Sequence, residues 1–298
     1  MTLPELATIP GFPQTLDQVS DAQLARYAEL IYARTGIRVS PQKKALLSNR
    51  LRRRLRSTGV EGFEEYYLRL KQLPPGDLEW DAFLQEITTH ETYLFRDPAH
   101  WAWFREAFLP RCAAKARSGN WQPRLRIWSA ACSTGDEAFT AACCIAGCLP
   151  ECSRWKIQIV GTDIGIGAVE QARAAVFGER AMRLVPEAYR KSYFTKAKHA
   201  DLWEAKPILK QMMTFRQHNL LDPLPERPFD LVFLKNVLIY FDRDSKQRVI
   251  ANVQKVISPG GMMVAGAAEG VADMVRDLVR IEPWLFQRAT TQGSAGKA

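Results

Sequence analysis

The chain lacks the marks of several common classes. No apolar run approaches the ~18 residues of a membrane-spanning helix, and the longest, residues 138–149, is too short. The first residues, Met-Thr-Leu-Pro-Glu-Leu, carry no basic segment ahead of an apolar stretch. No secretory signal is read there, and a cytoplasmic location is expected. The six cysteines include no C-x-x-C pair. Cys144, Cys148 and Cys152 repeat at helical spacing beside Cys143, with none of the four histidines near. Small buried thiols in a reducing compartment are the ordinary reading, so no metal site is expected. Between residues 34 and 60 there is no Asp or Glu, against nine Lys or Arg.

What is present is organised around residues 125–145, Leu-Arg-Ile-Trp-Ser-Ala-Ala-Cys-Ser-Thr-Gly-Asp-Glu-Ala-Phe-Thr-Ala-Ala-Cys-Cys-Ile. A short β-rich run passes through small residues into an alanine-rich helical run, which is the opening of a βαβ unit. In such units a nucleotide-like ligand sits over the turn, at the positive end of the helix. The turn has one glycine, Gly135, where a dinucleotide fingerprint has three. Asp136 and Glu137 occupy the first helical turn, where they disfavour phosphate and favour hydroxyls or a cationic group. A second buried strand, 157–161, leads into Thr162-Asp163. An acid at that place holds a ribose diol in nucleotide-binding α/β folds. A ribose acid without phosphate-cradling glycines points to S-adenosylmethionine, which has an adenosine but no phosphate.

At 298 residues the chain can form one large domain or two ordinary ones. Strands at 125–129, 157–161, 213–217, 230–234 and 262–266 alternate with helical stretches. They predict an α/β fold with an open, mostly parallel, Rossmann-like sheet, its ligand at the strand C-terminal ends. The polar residues at those ends are Ser133, Asp163, Asn219, Lys235, Asn236 and Glu269. A helix is expected over 168–177, and Asp242 reads as the N-cap of another running to 257. Residues 185–211 break the rhythm with a polar, basic, glycine-free stretch that reads as an insertion. Residues 1–80 predict a small basic all-helical domain, 81–120 a linker and helix, and 121–288 the α/β domain. Residues 289–298 read as a disordered tail. In the helical part Leu47, Leu51 and Leu55 make one apolar stripe, while Arg50, Arg52, Arg53, Arg54 and Arg56 cover much of the rest. Five arginines in seven residues repel one another, so an acidic partner is expected for this helix.

Several stretches, in order, resemble the CheR chemotaxis receptor methyltransferases. They are Thr-Thr-His-Glu-Thr-Tyr-Leu-Phe-Arg (88–96), Trp-Ser-Ala-Ala-Cys-Ser-Thr-Gly-Asp-Glu-Ala (128–138), Gly-Thr-Asp-Ile (161–164), Asn-Leu-Leu (219–221), Lys-Asn-Val-Leu-Ile-Tyr-Phe (235–241) and Gly-Gly-Met-Met-Val-Ala-Gly (260–266). The resemblance implies methyl transfer from S-adenosylmethionine to glutamate side chains on the long helical bundles of membrane chemoreceptors, leaving S-adenosylhomocysteine. It implies that His90, Thr92, Arg96, Ala131, Glu137, Asp163, Asn219, Leu220, Lys235 and Asn236 line the cofactor pocket. Arg96 and Tyr240 would flank the transferred methyl. Arg50, Arg53, Arg54 and Arg56 would meet the acidic receptor surface. The resemblance also makes residues 180–215 a small β-subdomain inserted in the methyltransferase fold, which in some members docks a receptor's C-terminal peptide. No nucleic-acid partner is expected, for want of a base-pocket motif, and no membrane insertion, for want of a long apolar run.

The sequence departs from the family's pattern at some of these positions. Ala131 stands where glycine is common, Asp136 where a second glutamate is, Lys235 where arginine is, and His90 where asparagine is. A lysine offers a point charge in place of a bidentate fork. Two other readings stay open: a catalytically weakened binding module on the same fold, and a nucleic-acid methyltransferase, motivated by the +9 net charge and the arginine helix. The second needs a pocket for an extruded base, for which the sequence carries no motif.

Overall fold

The computed structural model describes residues 18–74, 76–119, 123–149, 151–198, 201–266 and 269–290. Residues 1–17, and 291–298 of the expected tail, lie outside the described residues. The chain divides into two compact units, Met1–Thr89 and His90–Ala298.

The first unit is helical. Helix α1 (Asp21–Thr35) starts in a capping box between Ser20 and Gln23 and stops at Gly36, which is left-handed. Helix α2 (Lys44–Thr58) buries the expected stripe of Leu47, Leu51 and Leu55. Helices α3 (Phe63–Gln72) and α4 (Leu78–Ile87) complete the unit. Asp77 caps α4 by accepting from Glu79 N. The buried ring of Phe83 in α4 lies 6.4 Å from Tyr27 and 6.1 Å from Tyr66. This aromatic packing makes α4 part of the helical unit, which runs on to Thr89 and not merely to about residue 80.

The second unit opens with α5 (Pro98–Trp103), one π-helical turn at Phe104–Phe108, and α6 (Leu109–Arg117). Pro110 cannot donate to the Glu106 carbonyl and its ring crowds that carbonyl, which accounts for the widened turn. There follow β1 (Arg124–Ala130), α7 (Asp136–Cys148), β2 (Lys156–Asp163) and α8 (Ile166–Ala174). Next come β3 (Val176–Gly178), α9 (Glu179–Met182), α10 (Glu187–Tyr193), β4 (Phe194–Lys196) and β5 (Leu202–Ala205). The chain then runs through α11 (Pro207–Lys210), β6 (Met213–Gln217), β7 (Phe229–Leu234), α12 (Arg243–Lys255), β8 (Ile257–Ala265), β9 (Leu278–Glu282) and β10 (Leu285–Arg288). Asp242 caps α12 by accepting from Ser245 N.

Seven strands form one sheet in the order β6-β2-β1-β7-β8-β10-β9. The first five are parallel, and β10 is antiparallel to both neighbours. The chain works outward from β1 through β2 to β6, then returns to place β7 on the other side of β1. That reversal opens a crevice beyond the C-terminal ends of β1 and β7. A second, antiparallel sheet, β3-β5-β4, forms the insertion. Val176 already pairs with Glu204, so the insertion begins before residue 180. The helix expected over 168–177 ends at Ala174, followed by Ala175 in the left-handed region.

The strand pleat sorts the core into two layers. Leu125, Ile127, Leu231, Phe233 and Val264 pack with residues of α5 to α7. Trp128, Val160, Val232, Leu234 and Met263 pack with α12. Cys112, Cys132, Cys143 and Cys144 are buried, Cys152 is half-buried and Cys148 is exposed. No helix among the described residues is long and apolar enough to cross a membrane. Among the same residues no three His, Cys, Asp or Glu side chains group to hold a metal ion.

Candidate active site

The pleat that fills the core also directs Lys235. After Leu231 and Phe233 it is the next residue on the α5–α7 side of the sheet. Its ammonium lies 2.9 Å from Asp97 Oδ2, 3.5 Å from Glu137 Oε2 and 5.6 Å from the centre of the Trp101 ring. The Lys235 side chain is 2% exposed. A buried ammonium loses several kcal/mol of hydration, and the two carboxylates compensate it. Burial pushes the Asp97 carboxyl up, but Lys235 more than offsets this and holds it below the usual carboxylate range. At Glu137 burial outweighs the help of Lys235 and of the Ser129 hydroxyl, so its carboxyl stays raised. Ser129 Oγ donates to Glu137 Oε1 over 2.7 Å. Lys235 and Glu137, each expected to line the cofactor pocket, are brought together, and each spends its polar atoms chiefly on neighbouring side chains. A point charge between two acids meets this geometry, which explains how lysine serves where the family commonly has arginine.

The turn after β1 alternates left-handed residues, with φ of 57° at Ala131, 50° at Ser133 and 90° at Gly135. This winds the backbone so that its amides point at β2. Cys132 N donates to Thr162 O and Ser133 N to Asp163 Oδ2, both over 2.8 Å. Gly165 N donates to Asp163 Oδ1 over 2.9 Å, and His90 Nδ1 is 3.8 Å from that oxygen. A Cβ at Gly135 would sit 3.0 Å from Ala172 Cβ, and one at Gly161 would meet Phe215 Cδ1 at 2.4 Å. His218 N donates to Asp163 O over 2.8 Å and so brings Asn219 and Leu220 to this end of the sheet. Asn219 Oδ1 accepts from Leu221 N over 3.1 Å, and the Leu220 side chain is buried with Trp128 and Val160.

Arg96 stands between two left-handed residues, Phe95 at φ 58° and Asp97 at φ 62°. Phe95 N donates to Thr140 Oγ1 over 2.9 Å, and Trp101 Nε1 donates to Arg96 O over 2.7 Å. The guanidinium donates to Asn236 Oδ1 over 3.0 Å and to Glu91 O over 3.1 Å. Asn236 is itself left-handed, at φ 59°. The next amide, Val237 N, donates over 3.2 Å to Glu269 Oε1, whose buried carboxyl is raised by loss of solvent. Thr92 is half-buried in the Arg96 loop, and Tyr240 is half-buried at the end of the 3-10 turn Leu238–Tyr240. Sequence reasoning missed Asp97 and Thr140. Asp97 precedes Pro98 and has the look of a helix cap, yet its carboxylate makes no cap bond and turns to Lys235.

The arginine helix requires a correction at Arg54. Its guanidinium forks onto Glu79 at 3.1 and 2.7 Å, with the two side chains 15% and 12% exposed. Tyr66 OH donates to the same Glu79 carboxylate. Arg54 thus lies along the seam between α2 and α4 and does not present its charge outward. Arg53 pairs with Glu86 at 2.7 Å but stays half-exposed, Arg50 donates to Ile87 O and Thr89 Oγ1, and Arg56 is exposed.

The donor set fits an adenosine-bearing cation. A carboxylate offers about four acceptor positions, and backbone amides use two of those of Asp163, which leaves two for a diol. The Ser133 hydroxyl is buried beside it and has no hydrogen-bond partner among the described residues. Glu137 and Asp163 stand beside the turn after β1, where a phosphate would find no glycine-rich cradle. Residues 90–283 match the family model described as CheR methyltransferase, SAM binding domain, and residues 22–88 match CheR methyltransferase, all-alpha domain. The chain belongs to the CheR methyltransferase family. It is 33% identical to the chemotaxis protein methyltransferase of Klebsiella aerogenes over 264 residues, 87% of each chain. The Escherichia coli chemotaxis protein methyltransferase is 32% identical over 263 residues, again 87% of each chain. A probable chemotaxis protein methyltransferase of Rhizobium etli is 31% identical over 275 residues, 90% of this chain and 100% of that one. In CheR terms the all-alpha domain is the unit of α1 to α4, and the SAM binding domain is the seven-stranded sheet with its helices.

Proposed function

We propose that this CheR family member transfers the methyl group of S-adenosylmethionine to glutamate side chains of chemoreceptors in the cytoplasm. The observation that carries the reading is Arg96, held by Asn236 at the end of β7, with the ribose acid Asp163 at the end of β2. When bound, S-adenosylmethionine supplies a methyl made electrophilic by a sulfonium. A glutamate side chain, with an unperturbed pKa of ~4.3, is already ionised at neutral pH, so no base has to take its proton. The work of the chain is to orient that carboxylate and keep water from it. Arg96 has further N–H donors beyond those given to Asn236 and Glu91, and it holds the incoming carboxylate by charge-assisted hydrogen bonds. Tyr240 flanks the same carboxylate. Asp163 and Ser133 hold the ribose, and His90, Thr92, Ala131, Asn219 and Leu220 complete the wall. Lys235 and Glu137 act from behind, fixing Asp97 and the turn after β1. The exposed Arg53 and Arg56 meet the acidic helical surface of the receptor.

Calorimetric titration with S-adenosylhomocysteine tests the site. Asp163→Ala should weaken binding at least about a hundredfold, because two hydrogen bonds to a charged acceptor are lost. Arg96→Ala should keep that affinity yet abolish alkali-labile labelling of receptor membranes. A wild-type protein that neither binds the product nor labels any receptor would return the chain to the reading of a docking module.

A further inference from the structure

We propose that Arg183 is a specificity residue that binds a second carboxylate on the acceptor helix, close to the glutamate being methylated. The proposal rests on the functional reading above. The insertion meets the Arg96 loop directly. Leu94 N donates to Ala181 O over 3.1 Å, and the Arg180 guanidinium pairs with Glu91, so α9 is fastened along residues 91–94. One residue beyond α9, the Arg183 guanidinium carbon lies 3.5 Å from the centre of the Tyr93 ring. The Arg96 guanidinium carbon lies 5.7 Å from the centre of the same ring. One aromatic side chain therefore gathers two arginines, the reactive-site arginine and one from the insertion.

The charges around this ring are not balanced. Arg180 is answered by Glu91. Arg96 bonds to two neutral acceptors, Asn236 Oδ1 and Glu91 O. Arg183 donates from Nη1 to the carbonyl of Arg180 over 3.2 Å, and among the described residues no carboxylate pairs with it. It is exposed, yet it is held against the tyrosine ring, so little freedom is lost when it takes up an anion. Its remaining N–H donors match a carboxylate fork. The two ring distances keep the guanidinium carbons within about 9 Å of each other, so with one carboxylate on Arg96 the anion for Arg183 belongs to the same acceptor surface. On a helix, residues three or four apart bring their side chains within ~5–6 Å at Cβ, so an acid one turn from the acceptor glutamate has the right reach.

The test uses the full-length enzyme, a purified chemoreceptor cytoplasmic fragment, and helical peptides carrying one acceptor glutamate with glutamate or glutamine one turn away. Arg183→Ala should raise KM for the fragment about tenfold while kcat and S-adenosylhomocysteine affinity stay within about twofold. The wild type should prefer the two-acid peptide, and Arg183→Ala and Arg183→Gln should lose that preference. Arg183→Lys should keep part of it. Unchanged KM and preference in the alanine variant, with an active wild type, overturn the proposal alone. A weakened affinity for S-adenosylhomocysteine also overturns it, since Arg183 would then serve the carboxylate of the cofactor. Failure of the wild type to methylate any receptor fragment overturns the functional reading and this proposal with it.

Discussion

The backbone amide of Phe95 donates to the Thr140 hydroxyl over 2.9 Å, and that hydroxyl in turn donates to Asp136 O over 2.7 Å. The first turn of α7 thereby clamps the loop that carries Arg96. Left-handed backbone costs a non-glycine residue roughly 1–2 kcal/mol, and both neighbours of Arg96 adopt it. Thr140→Val removes the acceptor and leaves a buried amide unpaired, at about 1–3 kcal/mol. We expect kcat to fall roughly tenfold to hundredfold, with S-adenosylhomocysteine affinity nearly unchanged. Thr140→Ser should restore turnover. An equal loss of product affinity in the valine variant would show that the bond merely supports the fold.

Lys235→Met should leave Asp97 and Glu137 facing each other without a cation. Breaking a buried pair costs about 3–5 kcal/mol. The lower end applies here, because Asp97 is 39% exposed. The Glu137 carboxyl, already raised, should rise further, so the loss should be larger at pH 8 than at pH 6. Thermal unfolding at the two values measures this. An equal loss at both would mean that the ammonium serves chiefly to pack.

Arg54 and Arg56 should separate stability from docking. Arg54→Ala strands the Glu79 carboxylate in the seam between α2 and α4 and should cost about 3 kcal/mol. Arg56→Ala should change stability by less than about 0.5 kcal/mol, as exposed substitutions do, while raising KM for a receptor fragment. Denaturant titration and initial rates on both variants decide the matter. A large loss of stability in Arg56→Ala would contradict the assignment.

Strands β1, β2 and β7 are legible in sequence because both of their faces are buried, which yields short continuous apolar runs. Strand β9 is not. Val279 and Ile281 alternate with Arg280 and Glu282 over only four residues, and the two apolar side chains are themselves 61% and 49% exposed, so the run is too short and too weakly buried to stand out as a core strand. The site divides the same way. Asp163 and the turn before α7 are fixed by their place at strand ends, which local pattern reveals. Arg96 and Asn236 meet across 140 residues, and no periodicity encodes that meeting. Resemblance to the family supplied it, and resemblance also placed Lys235 and Glu137 near the pocket without indicating that they face each other. For Arg54, the leucine stripe identifies the buried side of α2, but it cannot tell that Glu79 returns on α4 to meet an arginine at the edge of that side.

Two buried groups should give opposing pH slopes. Burial, reinforced by Lys235, holds His100 down to about 4 from an ordinary 6.5. The unfolded chain takes that proton first, so this contribution is full above about 6.5 and is lost as pH falls toward 4. Burial pushes Asp136 up to about 6 from 3.8. Here the folded chain keeps a proton that the unfolded chain releases, so stability is lost as pH rises from about 4 to 6. His100→Phe should flatten the acid limb, and Asp136→Asn should gain stability at pH 8 but not at pH 4. Urea titrations at pH 4, 6 and 8 would expose a wrong sign in either case.

The cysteine arrangement has a practical consequence. Burial pushes Cys112 and Cys144 to about 12 and holds Cys132 and Cys143 well above the ordinary thiol value, so none of the four forms a thiolate near neutral pH. Cys148 is exposed at the far end of α7 from the turn that holds Asp163. Thirteen helical residues at 1.5 Å each place it about 20 Å from that turn. A maleimide dye should react there first and more slowly at half-buried Cys152. The native chain thus carries its own spectroscopic handle, from which cofactor and receptor binding can be followed by fluorescence without engineering a label.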